Sequence, residues 1–299
     1  MKDRPNFSLV IPTLNAESDI EGLLGAIFDQ TQTPSEVLVV DSSSDDRTQE
    51  IVRSQRDVTL SVINRRDFDH GGTRHDAFMS TSGEFVCFLT QDAIPAGRRY
   101  FESLLASFDD EQVAMVSGRQ LPKRDARPFE RLVREFNYPS DSFVRDESDV
   151  ERLGIKAFFA SDVCSAYRRT SYMACGGFER PLATNEDMLM AAAFLRNGLK
   201  VAYAADAQVY HSHNLTLRQQ YERNRQVGAF LESHPDVFGG LNEVGEGVGL
   251  VRYVSVHLLS ERRYKELAAF GLDCVARLVG NRSGRLLVRR SVKDRENRP

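Results

Sequence analysis

The chain has 299 residues, of which 41% are hydrophobic, and its formal net charge at pH 7 is −4. This length suits one large α/β domain or a domain with a helical extension, and the negative charge argues against a nucleic-acid-binding protein. No apolar run approaches the roughly 20 residues that span a bilayer, and the N-terminal residues lack a signal-peptide pattern. The cysteines have no CxxC spacing, which favours reduced thiols. We therefore expect a cytoplasmic protein.

The N-terminal part of the chain alternates apolar strands with amphipathic helices. Apolar residues between Ile20 and Phe28 recur at spacings of three and four, which predicts one buried helix face, with Asn15 or Ser18 as the N-cap. This alternation is typical of a parallel, doubly wound sheet with right-handed crossovers. Neither GxGxxG nor GxxxxGK[ST] follows the first strand, which argues against dinucleotide oxidoreductases and P-loop enzymes. The predicted strands are Ser8–Pro12, Val37–Val40 and Val58–Ile63, and the second predicted helix is Thr48–Gln55.

The middle of the chain continues the alternation and then becomes charged. Asn64–Thr73 is predicted to be a polar loop with paired glycines. Lys123–Asp149 is charged and is expected to be partly mobile, and whether it closes over a substrate is left open. The remaining predicted elements here are the helices Arg74–Ser82 and Gly97–Phe108 and the strands Phe85–Leu89 and Val113–Ser117.

The C-terminal part is predicted to become helical. Its end is rich in arginine from Arg277 to Arg298, around an apolar stripe that includes Phe270. These helices could pack on the rest of the protein or pair two subunits, and they could also lie on an anionic membrane surface. The predicted elements before them are the strands Ala157–Arg168, Lys200–Tyr203 and Ala207–Tyr210 and the helices Glu186–Asn197 and Thr216–Leu231.

Phe85–Leu89 is predicted to be a strand buried on both faces, because no polar residue alternates with its apolar ones. Polar residues follow this strand directly. In open α/β sheets, ligands bind in the crevice beyond the carboxyl ends of the strands. Asp92 is therefore placed to hold a divalent cation and, through it, a phosphate. Alternatively, Asp92 only caps the turn that follows.

Two further segments at strand ends suggest a nucleotide site. Asp41 ends the second strand, where an acid can accept hydrogen bonds from a ribose or a base, although it could also cap a turn. Arg74 follows two glycines, which let a backbone approach a ligand closely, and its planar guanidinium suits a phosphate. The alternative for Arg74 is a solvated side chain beside a flexible loop.

Acids and histidines later in the chain complete the set of candidates. Glu186 and Asp187 open a predicted helix, where acids are favourable through the helix dipole and where one could act as a general base. His211 and His213 follow a strand at alternate positions, so both can point the same way toward a metal ion. They could equally be a pair of hydrogen-bonded surface histidines.

Taken together, the motifs resemble those of glycosyltransferase family 2, the inverting enzymes with the GT-A fold, and most closely its bacterial rhamnosyltransferases. The resemblance covers roughly the first 230 residues, and the motifs occur in the order found in the family. The segments that carry it are SLVIPTLN at 8–15, SEVLVVDSSSDDRT at 35–48, HGGTRHDA at 70–77, EFVCFLTQDA at 84–93, GGFERPLATNED at 176–187 and VYHSH at 209–213.

The resemblance implies a role for each matching position. Asp187 would be the catalytic base with Glu186 beside it, and Asp92 would bind Mg²⁺ or Mn²⁺ with His211, or with His213 in its place. Residues around the nucleotide-sugar donor would be Pro12, Thr13, Asn15, Asp41, Ser43, Arg74, Gln91 and Asp92, with Asp41 at the nucleoside and Arg74 at the diphosphate.

The chain also departs from the family pattern. Thr90 stands where the first acid of the family's DxD motif would be, which removes one carboxylate from the metal site, and His75 follows Arg74 where many members have Asn. The QxxRW motif of processive synthases is absent, and the chain has no tryptophan, so we expect transfer of a single sugar per encounter.

The resemblance therefore implies an α/β GT-A fold, with a Rossmann-like, mostly parallel sheet flanked by helices. We expect a catalytic domain over residues 1–235, with the donor side roughly 1–120 and the acceptor side 121–235, and a C-terminal helical extension over 236–299. The expected reaction moves L-rhamnose from dTDP-L-rhamnose to a glycan or lipid-linked glycan in surface polysaccharide biosynthesis. A donor such as UDP-galactofuranose, UDP-glucose or a UDP-hexosamine, a non-catalytic nucleotide-binding protein, and a homo-oligomer remain open.

Overall fold

The computed structural model describes residues 6–241 and 244–296. Arg298 of the arginine-rich end lies outside these ranges, as does the side chain of Arg295. The described strands are β1 (Phe7–Thr13), β2 (Glu36–Asp41), β3 (Val58–Val62), β4 (Phe85–Leu89), β5 (Ile94–Pro95), β6 (Val113–Leu121), β7 (Phe143–Arg145), β8 (Cys164–Arg168) and β9 (Lys200–Tyr210). The described helices are α1 (Ile20–Phe28), α2 (Thr48–Arg53), α3 (His70–Met79), α4 (Tyr100–Leu105), α5 (Pro128–Asn137), α6 (Asp149–Leu153), α7 (Arg169–Ala174), α8 (Glu186–Arg196), α9 (Leu217–Ser233), α10 (Pro235–Phe238), α11 (Val244–Ser260) and α12 (Tyr264–Glu296).

These strands form one mixed sheet with the order β3-β2-β1-β4-β8-β6-β9-β5, and β7 also pairs with β9. β3, β2, β1 and β4 are parallel neighbours, whereas β8 is antiparallel to both β4 and β6. β9 is parallel to β6 and therefore runs in the same direction as β4. The carboxyl ends of β1, β2, β4 and β9 and the amino end of β8 consequently meet at one edge of the sheet.

Helices cover both faces of the sheet because the central strands are apolar on both. Every residue of β4 is buried, as the continuous apolar run predicts. Cys87 and Leu89 pack on one face in the cluster that includes α1 and α4, and Val86 and Phe88 pack on the other face with α3 and α8. The strand tip that carries Asp92 is thus held rigidly from both sides.

Two local predictions near the N-terminal helices are wrong. The paired glycines lie in the first turn of α3 rather than in a loop, and the Asp69 side chain caps this helix by accepting a hydrogen bond from the Gly72 N–H at 2.9 Å. A Cβ on Gly71 would lie 2.1 Å from the Glu179 carbonyl oxygen, so this glycine permits close packing against a neighbouring loop. The N-cap of α1 is Asp19, without a side-chain cap bond, and is neither Asn15 nor Ser18.

Other elements differ in extent from the prediction. β8 begins only at Cys164, because a 3₁₀ turn at Gly154–Phe158 occupies the earlier apolar residues. The two short C-terminal strands are one continuous strand, β9, which is bulged where it pairs with β6. The charged segment Lys123–Asp149 contains the helix α5 and the short strand β7, and both pack on the protein.

The C-terminal helices pack closely on α5 and α9. A Cβ on Gly284 would lie 1.9 Å from the Arg225 carbonyl oxygen, so the backbones of α12 and α9 touch there. Phe270 of the predicted apolar stripe is buried with Phe129 of α5, whereas Leu278 is 52% exposed. The stripe therefore faces the protein over only part of its length. Among the described helices, none has an apolar stretch long enough to cross a membrane.

The four cysteines are free thiols, and Cys87 and Cys164 are buried in the sheet. Burial raises the pKa of Cys164 to about 12, so this thiol stays protonated at neutral pH. The predicted reduced state of Cys87 and Cys164 agrees with this packing. These cysteines therefore contribute to the core rather than to chemistry.

Candidate active site

A cavity of about 450 Å³ opens at the edge where the strand ends meet. We call it the donor cavity. Five residues that were predicted to bind the donor line it, and they come from the ends of β1 and β4 and from α3. They are Pro12, Thr13, Arg74, Gln91 and Asp92.

The other three predicted donor residues do not line this cavity. Asp41 is fully buried and accepts hydrogen bonds from Gln49 Nε2 at 2.7 Å and Thr13 Oγ1 at 3.1 Å. Asn15 and Ser43 are bonded to backbone groups of the neighbouring loops, and both adopt positive φ angles. Direct contact of these three side chains with a nucleoside stays a prediction.

Asp92 lies beside both predicted histidine ligands at the edge of the donor cavity. The His211 Nε2 atom is 3.5 Å from Asp92 Oδ1, and the His213 Nε2 atom is 3.6 Å from Asp92 Oδ2. One ligand atom from each of the three residues lies within 4.8 Å of the others, so together they could hold a metal ion. We call Asp92, His211 and His213 the Asp92 cluster.

The donors of the Asp92 cluster fit a divalent cation. Gln120 Oε1 lies 2.9 Å from His211 Nδ1 and also accepts a hydrogen bond from Arg134, so Nδ1 carries the proton and Nε2 presents its lone pair to Asp92. Burial lowers the pKa of His211 to about 3, which keeps the imidazole neutral. Carboxylate and imidazole ligands suit Mn²⁺ better than Mg²⁺, which prefers oxygen.

Two further groups complete the surroundings of Asp92. Burial alone would raise the pKa of this carboxyl, but the imidazoles and the Lys123 ammonium, 3.4 Å from Oδ2, lower it below its ordinary value. The buried hydroxyl of Thr90, at the position of the missing DxD acid, has no hydrogen-bond partner in the part of the chain that the structure describes. A bound ligand or hydrated ion would supply one.

A second group of acids lies where β8 begins and α8 begins. Asp187 Oδ2 accepts a hydrogen bond from the Asp162 backbone N–H at 3.0 Å, and Asp187 Oδ1 accepts one from the Met188 N–H at 2.7 Å. Glu186 is buried and lies 3.1 Å from Arg74 Nη1. We call Asp162, Glu186 and Asp187 the buried acid cluster.

Arg74 holds the buried acid cluster together. Its guanidinium is only 5% exposed, and its Nε atom lies 3.8 Å from Asp162 Oδ2 in addition to the contact with Glu186. His70 Nδ1 accepts a hydrogen bond from Arg74 Nη1 at 2.9 Å. Arg74 therefore lines the donor cavity but is already paired, and its predicted contact with a diphosphate stays a prediction.

Two acids of this cluster, Asp162 and Asp187, bind a proton more tightly than ordinary aspartates. Desolvation and the nearby charge of Glu186 raise the pKa of Asp162 to about 6. Desolvation, followed by the charges of Glu186 and Asp162, also raises the pKa of Asp187 well above its ordinary value. Glu186 is paired with Arg74, and Asp187 is the more exposed of the two. The role of Asp187 as a base stays a prediction.

The sequence analysis did not identify several residues of this site. Asp162 precedes an antiparallel strand, and the expectation of a parallel sheet directs attention to residues that follow strands. Lys123 belongs to a segment that looked like a charged loop, and Arg65, Phe68 and His70 line the donor cavity from the segment that precedes Arg74. The paired glycines before Arg74 were the available signal for that segment.

Comparison with known proteins identifies the family. The family model for glycosyl transferase family 2 matches residues 8–176. The O-antigen chain rhamnosyltransferase WbaN of Salmonella anatum is 41% identical over 253 residues, which cover 83% of this chain and 79% of that protein. The O-antigen chain rhamnosyltransferase RfbN of Salmonella typhimurium is 41% identical over 249 residues, covering 82% of this chain and 79% of that protein.

Solved structures agree with this at the level of the fold. The mannosyltransferase PcManGT from Pyrobaculum calidifontis, in complex with GDP-Man and Mn²⁺, superposes with a TM-score of 0.62 at 17% identity, over 94% of this chain and 88% of that one. The predicted GT-A fold and the predicted family are thus confirmed. The chain is a glycosyltransferase and belongs to glycosyl transferase family 2.

Proposed function

We propose that this protein is an inverting rhamnosyltransferase that moves L-rhamnose from dTDP-L-rhamnose to a hydroxyl group of a glycan or lipid-linked glycan in surface polysaccharide biosynthesis. The observation that carries the proposal is that the Asp92 cluster lies at the donor cavity and that Arg74, which lines the same cavity, contacts the buried acid cluster. The choice of rhamnose is supported by the two relatives that are 41% identical and are named rhamnosyltransferases.

In this proposal, the Asp92 cluster binds the cation that interacts with the donor. Asp92, His211 and His213 would hold Mn²⁺ or Mg²⁺, which when bound supplies positive charge for the departing diphosphate. Lys123 adds a positive charge at the same place. Pro12, Thr13 and Gln91 line the cavity in which we place the nucleotide.

Asp187 performs the proton transfer in this proposal. Its carboxylate takes the proton from the acceptor hydroxyl, whose oxygen attacks the anomeric carbon from the face opposite the diphosphate. The bond from the anomeric carbon to the diphosphate oxygen breaks, and its electron pair leaves with the dTDP. One displacement of this kind inverts the configuration. Glu186, which is held by Arg74 at 3.1 Å, supports Asp187 from the preceding position of the helix.

Other expectations about the setting of the enzyme stay predictions. They are a cytoplasmic location, contact of the C-terminal helices with the inner face of a membrane, and a homo-oligomer. Ion pairs such as Arg289 Nε to Glu232 Oε1 at 2.7 Å show that part of the arginine-rich end is engaged with α9.

The experiment is to measure nucleoside diphosphate release by the purified protein from dTDP-L-rhamnose, UDP-glucose, UDP-N-acetylglucosamine and UDP-galactofuranose, with MnCl₂, MgCl₂ or EDTA. We expect slow, cation-dependent release from dTDP-L-rhamnose only. Release from a UDP-sugar instead would mean that the donor is that UDP-sugar, and the proposed mechanism would be unchanged. No release from any donor, together with no thermal shift by dTDP or UDP, would overturn the proposal in favour of a non-catalytic protein.

A further inference from the structure

A second cavity, of about 180 Å³, shares a wall with the donor cavity. His213 of the Asp92 cluster lines both cavities. The second cavity lies between α5, α9 and α12, so the C-terminal helical extension forms part of it. Its lining includes the guanidinium groups of Arg127, Arg134, Arg223 and Arg277, and we call it the arginine cavity.

The arginine cavity has more positive than negative charge. Its acids are Glu130 and Asp273, and each is already bonded to an arginine. Glu130 Oε1 accepts a hydrogen bond from Arg134 Nε at 3.2 Å, and Asp273 Oδ2 accepts one from Arg277 Nε at 2.6 Å. Among the described residues, Arg127 and Arg223 are therefore left without a carboxylate partner.

Arg223 is the group in this cavity that is available to a ligand. In residues 6–241 and 244–296 it has neither a hydrogen bond nor an ion pair, and its side chain is exposed although it lines the cavity. Arg127 differs, because its Nη1 already donates to the Leu215 carbonyl oxygen at 3.3 Å. A planar guanidinium without a partner, beside other arginines, suits the oxygens of a phosphate.

We propose that the arginine cavity binds a phosphate or diphosphate group carried by the acceptor, with Arg223 as its main contact. This inference rests on the proposed function, because that function assigns the donor's own diphosphate to the Asp92 cluster and leaves this cavity to the other substrate. The cavity is smaller than the roughly 300–1,000 Å³ typical of sites that enclose a whole ligand, so it suits one charged group of a larger molecule.

A hydrogen-bond network connects this cavity to the Asp92 cluster. Arg134 donates to Gln120 Oε1, which also accepts from His211 Nδ1. Arg134 is buried, so its charge is poorly screened by water and acts on both sides of the network. An anion beside Arg134 would therefore lie next to the groups that orient the proposed metal ligand.

The direct test is a titration of the full-length protein with geranyl diphosphate and with inorganic diphosphate, in EDTA so that no metal bridges the ligand to Asp92. R223Q is compared with R218Q, because Arg218 lies on the same helix but outside the cavity. Loss of a charged hydrogen bond should weaken geranyl diphosphate binding by about tenfold to a hundredfold in R223Q. R218Q should bind it like the wild type.

Equal affinity of R223Q, R218Q and the wild type for both diphosphates would overturn the inference. If R223Q unfolds at a lower temperature, R223K provides the second variant, since it keeps the charge and loses the planar fork, and we expect weaker binding from it as well. Binding of phosphatidylglycerol vesicles is the third arm. If R223Q loses vesicle binding but keeps diphosphate binding, the ligand of the cavity is a membrane headgroup and not an acceptor phosphate. That result would overturn the inference.

A kinetic measurement ties the cavity to the acceptor. Monosaccharyl decyl diphosphates and the matching neutral decyl glycosides serve as acceptors with dTDP-L-rhamnose. R223Q should raise KM for the diphosphates only, and an equal rise for both series would contradict the inference. Failure of the wild type to release dTDP would count against the proposed function alone, because the titration in EDTA needs no turnover.

Discussion

The Asp92 cluster and the buried acid cluster each contain an aspartate carboxyl group, but the charges around the two groups are opposite in sign. Asp92 is surrounded by imidazoles and an ammonium, which lower its pKa. Asp187 is surrounded by other acids in a desolvated position, which raises its pKa. A carboxylate of the first kind stays charged and can attract a cation, whereas one of the second kind holds a proton to a higher pH than an ordinary aspartate.

In the proposed mechanism, this difference allows one edge of the sheet to bind a cation and to accept a proton at separate positions. The Asp92 cluster borders the donor cavity, and the buried acid cluster is joined to that cavity through Arg74. Asp92 follows a parallel strand, whereas Asp162 precedes an antiparallel one. The reversal at β8 therefore brings an additional acid to this edge. The positive charge of Arg74 offsets part of the repulsion between the acids of the buried acid cluster, which lets their side chains lie close together.

The largest expected effect is that of D187N. Removing the proposed base should lower kcat by about 10²- to 10⁴-fold, because the acceptor hydroxyl keeps its proton as it attacks. Binding of dTDP, measured by calorimetry, should be unchanged, since the Asp92 cluster is intact. D206N, an exposed acid on β9, is the matched control. Normal turnover of D187N would remove Asp187 from the mechanism.

Q120A tests the support of the Asp92 cluster. It removes the acceptor that fixes the tautomer of His211, and loss of such a contact typically costs about 10- to 100-fold in metal affinity. The measurement is a Mn²⁺ titration followed by electron paramagnetic resonance, with Q208A on β9 as the control. Unchanged Mn²⁺ affinity in Q120A would mean that His211 does not bind the ion.

E186Q tests the source of the raised pKa of Asp187. The base must be deprotonated, so kcat/KM falls as the pH falls through its pKa, and the acid limb should lie well above the ordinary range of an aspartate. Removing the negative charge of Glu186 lowers that pKa and should move the limb to lower pH. A limb that stays in place or moves to higher pH would contradict this arrangement.

K123Q is expected to have the smallest effect. The Lys123 ammonium competes with a cation for Asp92, and pairs of this exposure contribute up to about 1 kcal/mol. Mn²⁺ affinity in the absence of nucleotide should therefore rise by up to about fivefold in K123Q. K200Q, which breaks a remote Lys–Asp pair with Asp110, should not change it. Weaker Mn²⁺ binding by K123Q would show that Lys123 supports the site.

The sequence predicted the parts of the site that local patterns describe. The apolar run before Asp92 and the spacing of His211 and His213 were sufficient to place the Asp92 cluster at strand ends, and the structure brings these residues together. The resemblance to the family added Asp187, which a helix-dipole argument alone could not distinguish from an ordinary first-turn acid.

The remaining parts depend on contacts between segments that are distant in the chain. No local pattern shows that β8 runs antiparallel, and so Asp162 could not be placed beside Asp187. The pairing of Arg74 with Glu186 likewise joins two segments that only the folded chain brings together. The helical start of α3 was missed because its glycines and charged residues resemble a loop, whereas the Asp69 cap and the packing of Gly71 stabilise a helix.

The most direct test of the division between the two clusters is one Mn²⁺ titration, in the presence of dTDP, of the wild type, D92N and D187N. We expect D92N to lose Mn²⁺ binding and D187N to keep the affinity of the wild type. Retained binding in D92N together with its loss in D187N would contradict the assignment of the cation to Asp92 and of the proton to Asp187.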